Sequence, residues 1–123
     1  MDSQISEDEF EALVQQAIDA IPEHIFNMMD NVVFFIADEY EPLPGEPKNR
    51  EILGLYEGIA LTERDLDWAA GALPDRITIF KNPTLRACNS REEIVQEVRI
   101  TVMHEVAHHF GIDDAKLDEL GWG

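Results

Sequence analysis

Residues 90–111, SREEIVQEVRITVMHEVAHHFG, are the longest periodic segment of the chain and the one that most restricts the rest of the fold. Ser90 stands where an N-cap belongs, and Glu93 follows three residues later as the partner of a capping box. Gly111 supplies the residue at which helices commonly enter the left-handed region and stop. The spacing predicts one long helix, with Val102, Val106, Ala107 and Phe110 as apolar side chains to bury. A chain of 123 residues can bury one hydrophobic core but not two, so we expect a single domain, residues 1–123.

The remaining segments supply a second helix and several strands. In SEDEFEALVQQAIDAI, Ser6 is an N-cap candidate, Glu9 its capping-box partner, and Phe10, Leu13, Val14, Ala17, Ile18 and Ile21 recur at helical spacing up to Pro22. NVVFFIA, residues 31–37, is a continuous β-branched and aromatic run that reads as a buried strand. DEYEPLPGEPKNRE, with three prolines and a glycine, reads as a loop. ILGLYEG (52–58) and RITIFK (76–81) are the other strand candidates, joined by LTERDLDWAAGALP, a helical turn or an irregular connection. ILGLYEG alternates imperfectly, which suits an exposed edge more than RITIFK does.

Composition narrows the function. With 26 acidic residues against nine Lys and Arg the formal charge is −17, which excludes a nucleic-acid backbone as partner, since phosphate contacts need basic side chains. Most of this acidity reads as a solvated surface. No apolar run approaches the roughly 20 residues of a membrane span, and MDSQISEDEF lacks the basic and then apolar regions of a secretory leader. A cytoplasmic location without membrane contact is therefore expected. Cys88 cannot form an internal disulfide, agrees with a reducing compartment, and reads as a small, partly buried side chain.

The chemistry lies in HEVAH, residues 104–108. Residues four apart share a helix face, so His104 and His108 can direct imidazole nitrogens at one point. Glu105, rotated by about 100°, is displaced from that line yet close enough to reach a metal-bound water. Hydrolytic zinc needs such a set: neutral imidazoles to hold the ion and a carboxylate to take the proton. The same pentad arises on ordinary surface helices, but here the helix is apolar enough to be buried and a terminating glycine follows. That glycine lets the chain fold back toward the metal, where Asp113 and Asp114 stand as candidate third ligands. Either acid can also cap a short last helix in DDAKLDELG, and the two roles can be divided between them. Glu119 is a poorer candidate, because an antiparallel second helix would not return it to the site.

HEVAHHFGIDD resembles the long zinc signature of the metzincin clan, in which the third ligand sits three residues after the glycine and is an aspartate in some branches. By that match His104, His108 and Asp114 are the ligands of one zinc ion per chain and Glu105 is the general base. Together with LGLYEGIALTERD, LPDRITIFKNP and VRITVMHEVAHHFGIDDAKLDELGW, the chain is similar to the small bacterial zincin-like metallopeptidases. The resemblance implies an α/β (α+β) domain, with a small twisted mixed sheet packed on the active-site helix, and peptidase chemistry on a peptide or protein substrate. Metzincins proper carry a methionine turn beneath the metal. No methionine follows Asp114, and Met103 precedes the first ligand. We therefore expect a one-walled cleft of low intrinsic activity, with substrate paired along residues 52–58. A zinc-stabilised acidic binding module and an enzyme completed by a partner chain are the alternatives. His109 reads as a neighbour of the site or a surface residue, and His24 lies outside it. Trp68, Trp122, Tyr40 and Tyr56 read as packing residues, Tyr56 being the first to test as an oxyanion donor.

Overall fold

In the computed structural model, which describes residues 5–47, 51–63, 73–113 and 115–116, the organising element is the helix α4, Arg91–His109. Before it come α1 (Glu7–Asp19), α2 (Glu23–Phe26), β1 (Val32–Ala37), β2 (Gly54–Glu57), a 3-10 turn at Leu61–Glu63, β3 (Asp75–Phe80) and α3 (Lys81–Ala87). The fold is α+β, four helices with one small mixed sheet of order β1-β3-β2. β1 runs parallel to β3, from Val32 opposite Asp75 to Ala37 opposite Phe80. β2 runs antiparallel, from Gly54 opposite Ile79 to Glu57 opposite Arg76.

The helix ends follow from local chemistry. The Ser6 hydroxyl accepts from the Glu9 N–H at 3.1 Å while the Glu9 carboxylate accepts from the Ser6 N–H, so the first capping box is complete. In α4 only half of the expected box forms: Ser90 accepts from the Glu93 N–H at 3.2 Å, but the Glu93 carboxylate reaches the Asn89 N–H at 3.4 Å. Arg91 then ties the start of α4 to that of α1 through Glu9 at 2.8 Å.

α4 presents three lines of side chains, each stepping by about four residues. Ile94, Val98, Val102 and Val106, all 0–1% exposed, face the core made by Phe10, Leu13, Val14 and Ala17 of α1 and by Ile77 and Ile79 of β3. Burying each such side chain contributes about 1.5–3 kcal/mol, so this stripe holds α4 against α1 and the sheet. Thr101, Glu105 and His109 form a second buried line. Glu97, Ile100, His104 and His108 form the third, bordering an open cleft.

Two further expectations change. The run at 31–37 is a strand, but it is not buried: β1 is an edge of the described sheet, and Val33, Phe35 and Ile36 are 39–42% exposed. A continuous apolar run signals a parallel strand, which β1 is; burial on both faces needs a covering layer on each, and among the described residues these side chains lack one. RITIFK reads as strand to Lys81, whereas the strand ends at Phe80 and Lys81 opens α3, with Pro83 in its first turn where no N–H is needed. The connection after the 3-10 turn, including Trp68, lies outside the described residues, as does Trp122. No helix among the described residues is long and apolar enough to cross a membrane.

Candidate metal centre

His104 and His108 sit one above the other on the cleft side of α4, their ring centroids 4.8 Å apart and their planes inclined at 74°. One nitrogen from each imidazole and one oxygen of Glu105 all lie within 4.8 Å of one another. Both histidines are half-buried, and Glu105 is 7% exposed. The donor set therefore fits a divalent, borderline-soft ion: two imidazoles converge on a point, and the carboxylate beside them is largely withdrawn from water.

What brings Glu105 inward is a glycine. Gly54, the first residue of β2, lies so close to α4 that a Cβ there would stand 2.6 Å from Thr101 Cγ2 and 3.2 Å from Glu105 Cγ. A glycine within a strand signals close backbone approach, and this signal is present in the sequence. β2 and its lead-in, Ile52 to Tyr56, thereby become the second wall of a cleft of about 710 Å³ whose first wall is the histidine line of α4, so the cleft has two walls where the sequence led us to expect one. β2 pairs with β3 on one side and forms an edge of the described sheet.

The end of α4 turns as the glycine predicts. Gly111 has φ +86°, its N–H donates to the His108 carbonyl at 2.9 Å, and the Ile112 N–H donates to the Ala107 carbonyl at 3.0 Å. These two bonds are the Schellman pair that satisfies the last carbonyls and reverses the chain. Thr62 packs against this turn, its hydroxyl in the space that a Cβ on Gly111 would need. Asp113 follows on the rim of the cleft, and its carboxylate accepts from the Lys116 N–H at 2.9 Å, the capping role weighed for it. Asp114, the expected third ligand, lies outside the described residues.

Other candidates take different places. His109 is not a surface residue; it is 0% exposed, with its Nδ1 3.1 Å from the carboxylate of Asp75, itself 1% exposed. The Asp30 N–H donates to His109 Nε2 at 3.2 Å, so Nε2 carries the lone pair and Nδ1 the proton. The Tyr56 hydroxyl donates to the same Asp75 oxygen, which binds it into this buried cluster. Asp75 had no signal in the sequence beyond being a polar residue at the start of a strand. His24 is exposed on α2 and outside the cluster. Cys88 is 6% exposed, and burial, followed by the charges of Glu97 and Glu93, pushes its thiol up, as befits a packing residue rather than a nucleophile.

No curated protein matches the chain. A solved structure, a conserved hypothetical protein from Thermus thermophilus, is similar with a TM-score of 0.57 over 94% of this chain and 97% of that one. At 20% identity the likeness shows a shared fold. The model of the zincin-like metallopeptidase family matches residues 29–122, a span that takes in the whole sheet and all of α4, and the chain belongs to that family.

Proposed function

We propose that the protein is a zinc-dependent peptidase in which His104, His108 and Asp114 hold one ion per chain and Glu105 is the general base. One observation carries the reading: the His104–Glu105–His108 cluster opens onto a cleft bounded by an edge strand of the described sheet. A purely structural zinc is more often closed by four protein ligands and has no need of a carboxylate beside them. A zinc ion bound there would act as a Lewis acid on water and on a peptide carbonyl.

The chain's own groups do the rest. The two imidazoles bind through neutral nitrogens one turn apart. Glu105, held inward by Gly54, accepts the proton of the attacking water on its carboxylate and returns it to the departing amine. β2, an edge of the described sheet that lines the cleft, is the strand with which we expect an extended peptide to pair, its carbonyl then lying near His104 and His108. An open cleft binds the ground state weakly, and we read the intrinsic activity as low.

Glu105→Gln tests the assignment. It keeps size and hydrogen bonding but not proton acceptance, so zinc content and melting temperature should stay while peptide cleavage falls by about 10²–10⁴. Equal cleavage of a broad peptide library by wild type and variant, with zinc present in both, would overturn the enzyme reading in favour of a zinc-stabilised binding module.

A further inference from the structure

The cleft has two walls on separate elements, α4 and β2: the apolar stripe of α4 packs against α1 and β3, and β2 meets the helix closely at Gly54. Behind the cleft a polar bridge also connects them. Tyr56 on β2, Asp75 on β3 and His109 on α4 meet at one carboxylate oxygen. His109 Nδ1 also lies 3.4 Å from the Tyr56 hydroxyl, and the two rings meet edge-on with centroids 5.8 Å apart. The opposite nitrogen of His109 receives the Asp30 N–H from the segment leading into β1. Gly58, just past β2, closes over this carboxylate so tightly that a Cβ there would overlap Asp75 Cγ.

We infer that the Tyr56–Asp75–His109 bridge is a positioning device for the metal centre, and that it sets metal affinity by fixing the rotation of the last turn of α4 against β2. The inference rests on the metal reading above. Burying a carboxylate is costly, and apolar side chains of similar volume would often fill the same space with more stability; what hydrogen bonds add is direction. His109 directly follows His108, so groups that hold one ring also fix where the other points. A rotation of the last turn by about 10° would move an imidazole nitrogen some 6 Å from the helix axis by about 1 Å, against a tolerance near 0.2 Å in metal–ligand distances. Tyr56, Asp75 and His109 are thus positioning residues, acting on the ion through His108 and on the substrate strand through β2.

The test compares Asp75→Asn, Tyr56→Phe and Gly58→Ala with Val98→Ala, a core change remote from the bridge. Three quantities are measured on the full chain: zinc affinity by chelator competition under conditions where circular dichroism shows each variant folded, the visible spectrum of the cobalt(II)-loaded protein, and the melting temperature without metal. Asp75→Asn should weaken zinc binding by about 10–100-fold, the range found when groups supporting a metal ligand are removed, and should alter the cobalt bands. Tyr56→Phe, which leaves the Asp75–His109 pair in place, should weaken binding several-fold. Gly58→Ala should act in the same direction by displacing Asp75 while keeping every hydrogen-bonding group. Val98→Ala should lower the metal-free melting temperature at least as much while leaving affinity within twofold and the spectrum unchanged. Should Asp75→Asn fail to fold, Tyr56→Phe decides alone. Unchanged affinity and spectrum in the bridge variants, with zinc bound by wild type, overturns the positioning role only, as does an equal loss in Val98→Ala. A wild-type chain that takes up neither zinc nor cobalt overturns the metal reading and this inference together.

Discussion

His108 and His109 are adjacent in sequence and belong to different regions of the molecule. The first is half-buried on the cleft line of α4 beside His104; the second is fully buried on the sheet side, hydrogen-bonded to Asp75 and to the Asp30 N–H. One residue step turns a helix by about 100°, enough to carry the same imidazole from the solvent-accessible wall of a cleft into the protein interior. The chemistry of the two rings is identical, and their neighbours decide their use. On the cleft side the partner we propose is an ion, which the protein could take up or lose. On the buried side the partners are built into the fold. The two histidines should therefore fail differently when removed: His108 by losing a proposed ligand at little cost to the metal-free fold, His109 chiefly by destabilising the metal-free fold, with its effect on the metal only indirect.

The largest effect is expected on the buried side. His109→Ala opens a cavity, deprives the Asp30 N–H of its acceptor and removes one donor from the buried Asp75. Cavity and lost hydrogen bonds together should cost about 3 kcal/mol in metal-free protein, measured by urea unfolding in the presence of chelator. A loss below about 0.5 kcal/mol would place His109 with ordinary surface residues and break the contrast.

His108→Ala should show the opposite pattern. Its metal-free stability should stay within about 0.5 kcal/mol of wild type, since the side chain is half-exposed. Wild type at zinc concentrations about 100 times the dissociation constant should gain about 2.7 kcal/mol, and the variant should gain none. A metal-free loss as large as that of His109→Ala would mean that the cleft side is also structural.

This contrast also shows what the sequence could and could not disclose. The ends of α4 were legible because caps act locally: Ser90 and Gly111 do what their side chains, or lack of one, dictate. The pairing of His104, Glu105 and His108 was legible because helical spacing is fixed. The line Thr101, Glu105, His109 was not, because a polar residue every four positions reads as a solvated face, and its burial depends on Gly54 and Asp75 arriving from strands distant in sequence. For the same reason Tyr56 was a candidate oxyanion donor, while its hydroxyl is engaged by Asp75. The exposure of β1 was equally hidden, since strand order is a property of the assembled sheet.

A smaller effect, shared by both regions, is expected at the turn that follows them. Gly111 at φ +86° occupies backbone space that costs an L-residue about 1–2 kcal/mol, and Thr62 fills the place of its missing Cβ. Gly111→Ala should lower metal-free stability by about 1–2 kcal/mol. It should also weaken zinc binding, because the same turn brings Ile112 and Asp113 to the cleft, directly ahead of the proposed third ligand in sequence. Loss of stability with unchanged zinc affinity would argue that the residues after the turn do not ligate.

The smallest effect belongs to a cluster on neither line of α4. Arg86 on α3 joins Glu39 and Glu51, all about half-exposed, across the surface. Hydrogen bonds from the Arg86 guanidinium first, and from Asn82 second, hold the Glu39 carboxyl down to about 2 from an ordinary value of 4.5; Glu51 is lowered by the same arginine. A carboxyl lowered in the folded state contributes stability that is fully present above its unfolded value and is lost as pH falls toward the folded one. Arg86→Gln should therefore be slightly less stable than wild type above about pH 4.5, and the difference should shrink toward zero as pH approaches about 2. Because the pair is exposed, added salt should reduce the difference at any pH. Zinc affinity at neutral pH should be unchanged, since none of the three side chains joins the His104–Glu105–His108 cluster or the His109 bridge. Urea unfolding of both proteins from pH 7 to pH 2.5, at low and high salt, checks the first two points, and chelator competition checks the third. A difference that grew on acidification would mean that Glu39 and Glu51 are not stabilised by Arg86 in the folded chain. A changed zinc affinity would mean that the ordering of residues 51 and 52 ahead of β2 reaches the cleft, and the separation between metal region and surface would have to be redrawn.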